Sequence, residues 1–157
     1  MEKYFNYIDQ HKEDMLRLWE ELVNIDSGSY YKEGIDKIAN KISDIYKSQN
    51  GEVKIYEYKE AGNSLVAEFN SDSKKDGLVF IGHMDTVFAK GTASERPFKI
   101  EDGNAYGPGV LDMKGGIVAL TYAIKALTHA GYNKQPLKVI LAGDEEVGHI
   151  NSNFDEV

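Results

Sequence analysis

Two short apolar runs separated by a helix-length segment restrict this chain more than any other feature. Leu78-Val79-Phe80-Ile81 is continuous, apolar and bounded by turn signals, the pattern of a strand buried on both faces. Residues 137–142 form a second such strand, ending at Gly143. Between them, residues 114–130 place Ile117, Val118, Leu120, Ile124 and Leu127 on one broad side of a helix, with Gly131 where a left-handed C-terminal cap belongs. Strand, helix-bearing crossover and strand make a βαβ unit whose two strands run parallel.

The remaining periodicities extend this frame. Phe5, Ile8, Met15, Leu18, Trp19 and Leu22 lie near helical spacing and predict one helix over residues 2–24, broken by Ile25-Asp26-Ser27-Gly28-Ser29. Ile35, Ile38, Ala39, Ile42, Ile45 and Tyr46 predict a second. Residues 53–58 and 64–69 read as strands joined through Gly62-Asn63, and a small hairpin over 98–106 turns at Asp102-Gly103. The expected fold class is α/β: a mixed, largely parallel sheet flanked by helices, with the hairpins at an edge. A chain of 157 residues fits one domain.

Composition narrows the chemistry. There is no cysteine, so any metal must be held by His, Asp and Glu. A net charge of −8 without a Lys/Arg cluster speaks against a nucleic-acid partner. Residues 1–6 lead into charged helix rather than a signal-peptide core, and no apolar stretch is long enough to span a bilayer. The expectation is a cytoplasmic protein with no membrane association.

Three segments carry chemistry. His83 and Asp85, in Gly82-His83-Met84-Asp85-Thr86-Val87, are two residues apart just past the first buried strand, so extended backbone puts both on one face. Such a pair suits a metal-binding imidazole whose other ring nitrogen is fixed by a carboxylate. Asp112 lies in the glycine-rich stretch 107–116, at the expected start of the long helix. It is either an N-cap or a carboxylate bridging two metal ions. A phosphate loop fits poorly, because Lys114 precedes the glycines rather than following them. Glu145 and Glu146 follow the last strand in Gly143-Asp144-Glu145-Glu146-Val147-Gly148. Taken singly, these are an ordinary hydrogen-bonded pair, a helix cap and a solvated acidic turn. Parallel strands bring them to one carboxyl edge, where open α/β sheets place their sites, and that combination favours function. His11 and His129 read as surface residues, and His149 as a solvent or supporting residue near Glu146.

On these three segments the chain resembles the zinc metallopeptidase family that contains aminoacylases, succinyl-diaminopimelate desuccinylases and glutamate carboxypeptidases. Phe88-Ala89-Lys90-Gly91-Thr92, Arg96-Pro97-Phe98 and Ala105-Tyr106-Gly107-Pro108-Gly109 look most like the glutamate carboxypeptidase branch. The resemblance implies that His83 ligates one zinc, Asp85 orients His83, Asp112 bridges two zincs, Glu145 is the general base and Glu146 ligates the second zinc. It implies a cis peptide at Asp112–Met113. It also implies hydrolysis of a small peptide or N-acyl amino acid, carboxypeptidase-like with a C-terminal residue such as glutamate, through a dizinc-bound water that Glu145 deprotonates. Manganese or cobalt suits the same donors.

Family members are usually more than twice this long, with an inserted lid and dimerisation domain and two further ligands that would lie beyond Val157. Residues 1–157 are therefore expected to be the N-terminal portion of a catalytic domain, with the lid and C-terminal part absent. Negligible activity of the isolated chain follows, as does self-association through surface left uncovered. The alternative is a truncated, noncatalytic metal-binding or interaction protein.

Overall fold

A computed structural model describes residues 1–152. The chain opens with α1 (Glu2–Gln10) and α2 (Lys12–Val23), followed by α3 (Lys32–Ser48). The single first helix expected from periodicity is thus two. His11 leaves helical geometry at φ −113°, ψ 18°, and its ring stacks on Tyr7 at 3.9 Å. His11 is half-buried rather than a surface residue, whereas His129 is exposed.

Strands β1 (Glu52–Tyr56), β2 (Ser64–Phe69), β3 (Leu78–His83) and β6 (Leu137–Ala142) form one sheet in the order β1-β2-β6-β3. β1–β2 and β2–β6 are antiparallel, and β3–β6 is the parallel pair of the βαβ unit. The short helix α4 (Thr92–Glu95) and the hairpin β4 (Lys99–Glu101)–β5 (Asn104–Tyr106) lie between β3 and the long helix. That hairpin turns as expected but forms its own two-stranded sheet instead of extending the main one.

The core is built by alternation. Leu65, Ala67 and Phe69 of β2 and Leu137, Val139 and Leu141 of β6 pack with Ile35, Ile38, Ile42 and Tyr46 of α3 and with Ile117, Val118, Tyr122 and Ile124 of α5 (Gly116–His129). β3 departs from expectation. It is an edge strand rather than one buried on both faces, and Val79 and Ile81 stand 58% and 68% exposed. Register puts Ile81 beside Ile140 and Val79 beside Lys138, on the face away from the helices.

The long helix begins at Gly116, not at Lys114. Before it, Val110–Gly115 forms a wide turn whose backbone is non-helical at Asp112 and Met113. Asp112 is therefore held on an irregular loop instead of capping the helix. The Asp112–Met113 peptide is cis, as the resemblance implied.

Candidate metal centre

Parallel pairing of β3 with β6 places His83 opposite Ala142, and the Met84 N–H donates to the Ala142 carbonyl at 2.8 Å. The chain beyond β6 turns at once through Asp144 into Glu145 and Glu146, so both segments leave the sheet at one edge. The 110–115 turn closes on this edge from the side. The His83 N–H donates to Met113 Sδ at 3.2 Å. A side chain at Gly82 would collide with the same sulfur, since its Cβ would lie 2.9 Å away.

His83 is buried and faces carboxylates from both ring nitrogens. Nε2 lies 3.0 Å from Asp112 Oδ1 and 3.9 Å from Glu145 Oε2. One candidate ligand atom each from His83, Glu145 and Glu146 lie within 4.8 Å of one another. On the inner side, Nδ1 is 3.3 Å from Asp85 Oδ1. All five residues singled out in the sequence therefore meet in one place. Both glutamates, not Glu146 alone, come within ligand range of the histidine.

Asp85 does more than face a histidine. It is fully buried and accepts hydrogen bonds from Ser29 Oγ at 2.6 Å and from the backbone N–H groups of Glu145 and Glu146, each at 3.1 Å. Burial alone would raise its pKa, but His83, Ser29 and the Glu146 amide lower it below the usual carboxylate range. Burial works against a charged His83 too. Asp85 and Asp112 outweigh it and lift the imidazole to about 9. Glu146 is raised, first by burial and then by Asp112, Asp85 and Glu145 against the pull of His83.

Asp112, Glu145 and Glu146 thus crowd one imidazole. Among the described residues, no lysine or arginine forms an ion pair with any of them. This surplus of negative charge, with nitrogen and oxygen donors converging, fits a divalent cation such as zinc, manganese or cobalt. Two cavities flank the cluster. One of about 530 Å³ is lined by Tyr30, Tyr31, Val87, Phe88, Lys90 and Glu146. The other, about 270 Å³, is lined by Val87, Leu111, Asp112 and Glu146 among others.

Sequence reasoning passed over several residues that hold the site together. The segment 25–29, read only as a helix break, contacts the 110–115 turn, the start of α4 and the loop after β3. The Ile25 carbonyl accepts from the buried Lys114 Nζ at 2.8 Å, and desolvation lowers the Lys114 pKa to about 8. Asp26 accepts from the amides of Gly91 and Ala93. The Thr86 amide donates to Ser27, and the Ser29 amide to Thr86. A cluster of small polar residues directly after an amphipathic helix was the available signal. Asp144 is also buried. It accepts from Ser152 Oγ at 2.6 Å and the Asn151 amide at 3.1 Å, with the His149 ring nearby at 3.4 Å, so His149 packs on Asp144.

Fold and site together define a metallopeptidase-type α/β domain. Residues 79–154 match the family model for peptidase family M20/M25/M40. The chain is 32% identical over 143 residues to carboxypeptidase G2 of Pseudomonas sp. (strain RS-16), covering 88% of this chain and 34% of that protein. It is 30% identical to acetylornithine deacetylase of Vibrio parahaemolyticus, covering 83% and 36%. Human carnosine dipeptidase 1 superposes with a TM-score of 0.84 at 25% identity, over 96% of this chain and 36% of that one. The chain belongs to the M20/M25/M40 peptidase family, and it spans about a third of the length of the curated relatives it matches.

Proposed function

We propose that the protein is a metal-dependent hydrolase of amide or peptide bonds, with His83, Asp112 and Glu146 as ligands, Asp85 orienting His83 and Glu145 as general base. The observation that carries this reading is the convergence of Asp112, Glu145 and Glu146 on the single His83 imidazole, 3.0 Å from Asp112. The proposed metal is zinc, two ions in the complete protein, with the remaining ligands outside these residues. The names of the relatives (a carboxypeptidase, a deacetylase, a dipeptidase) support a small peptide or N-acyl amino acid as substrate. Within that class we favour removal of a C-terminal residue such as glutamate.

Zinc bound here supplies a Lewis acid for the amide carbonyl and lowers the pKa of water. The protein's own part is proton transfer and positioning. Glu145, about half exposed, takes the proton of the attacking water and returns it to the departing amine nitrogen. Glu146 borders both cavities, so an amide lying across it would project one substituent into each.

The test is zinc binding by the 157-residue chain, measured by competition with a chromophoric chelator. Wild type is expected to bind, and His83→Ala and Asp112→Ala are each expected to lose that binding. Equal binding by wild type and both variants would place the metal elsewhere and overturn the assignment.

A further inference from the structure

Ser29 is 5% exposed, and its hydroxyl donates to a carboxylate that has no exposure at all. The 2.6 Å separation is that of a strong, charge-assisted bond. The carboxylate it holds has three other neighbours: the His83 ring and the amides of Glu145 and Glu146. The Ser29 backbone is fixed in turn, because Gly28 bridges to Thr86 and the Ser29 amide donates to the Thr86 carbonyl at 3.2 Å. Room for this approach exists only because residue 28 is glycine, whose Cβ would sit 2.2 Å from the Phe88 carbonyl oxygen. Asp85 can rotate about its χ angles unless both oxygens are occupied. Oδ1 is taken by the Glu145 amide and lies beside His83, while Oδ2 is shared between Ser29 and the Glu146 amide.

We propose that Ser29 is a positioning residue of the metal centre: its hydroxyl locks the Asp85 carboxylate, and through it the His83 ring and the Glu145–Glu146 backbone. This rests on the metal-site reading above. Ser29 lines the cavity of about 530 Å³ but is not one of the residues proposed to contact the metal. It acts by fixing the orientation of groups that do, as partners behind metal ligands generally do.

The experiment compares wild type, Ser29→Ala, Ser29→Thr and Ser43→Ala in the 157-residue chain. Ser43 is an internal control. It is equally buried, yet among the described residues its hydroxyl has no hydrogen-bond partner. Zinc affinity and the visible spectrum of the cobalt-substituted protein report the centre, and amide hydrogen exchange of the metal-free protein reports the Glu145–Glu146 backbone. Ser29→Ala is expected to weaken zinc binding about tenfold, to change the cobalt spectrum and to speed exchange at Glu145 and Glu146. Ser29→Thr restores all three, and Ser43→Ala changes none. Ser29→Ala with wild-type zinc affinity and unchanged exchange would overturn the proposal. If wild type fails to bind zinc, the metal reading fails, and the exchange arm still decides whether Ser29 orders the segment.

Discussion

The backbone N–H of Glu146 donates to the buried carboxylate of Asp85 at 3.1 Å, across sixty-one positions of sequence. The same carboxylate lies against the His83 ring. One side chain therefore couples the residue that ends β3 to the glutamates that follow β6. The two halves of the candidate centre are aligned by a shared anion as well as by strand pairing.

That coupling predicts a large effect for a small change. Asp85→Asn keeps the volume but removes the charge, and turns one acceptor into a donor facing amide donors. Loss of a buried, fully hydrogen-bonded anion should lower stability by about 3 kcal/mol. Zinc affinity should fall at least about tenfold. Urea denaturation and chelator competition measure the two effects, and a variant with wild-type values in both would refute the coupling.

Much of this was legible in the sequence, for reasons that also explain what was not. Ile35, Ile38, Ile42 and Tyr46 announce a helix because helical period and burial coincide. His83, Asp112, Glu145 and Glu146 are legible because the βαβ unit converts sequence order into a common edge. The openness of β3 was hidden. A continuous apolar run looks alike in a central or an edge strand, and sheet order depends on pairings distant in sequence. The path of 110–115 was hidden likewise. It is drawn by Lys114 to Ile25 and by Trp19 Nε1 to the Val110 carbonyl, contacts 89 and 91 residues apart. Ser29 shows locally only as part of a small polar cluster after a helix, and its task is hidden because its partner lies 56 residues ahead.

The two glutamates should separate by measurement. If Glu145 moves protons and Glu146 holds metal, Glu145→Gln leaves zinc affinity of the chain unchanged while Glu146→Gln lowers it at least about tenfold. In a complete, active protein, Glu145→Gln should cost at least about 100-fold in turnover. Equal losses of zinc affinity in both variants would make Glu145 a ligand as well, as its 3.9 Å approach to His83 allows.

Acidity should act on the centre through His83. Its imidazole holds a proton up to about pH 9 in the metal-free fold, so zinc must displace that proton. Apparent affinity should rise about tenfold per pH unit below that value and level off above it. The metal-free fold has the opposite dependence. A pKa raised from 6.5 to about 9 means that stabilisation is full below 6.5 and is lost as pH climbs through 9. Lys114, lowered to about 8 from 10.5, adds stability from about 8 upward. Stability of the metal-free chain should thus fall between pH 6.5 and 8 and flatten between 8 and 9. Chemical denaturation across this range checks it, and His83→Asn should remove the fall. A slope unchanged in His83→Asn would assign the effect to another group.

The open side of β3 makes a last prediction. Val79 and Ile81 expose branched apolar side chains on an edge strand whose outer backbone groups have no strand partner among the described residues. Edges of this kind pair with other edges unless charge or a bulge blocks them. We expect the 157-residue chain to self-associate through β3, with sedimentation velocity showing species larger than a monomer that grow with concentration. Val79→Lys and Ile81→Lys place a charge in the contact at positions already facing solvent. They should return the chain to a monomer while changing stability by no more than about 0.5 kcal/mol. A monomeric wild type at high concentration would sink the idea. A wild-type oligomer that both lysine variants leave intact would place the contact on another surface, with exposed Leu111, at 87%, the next candidate.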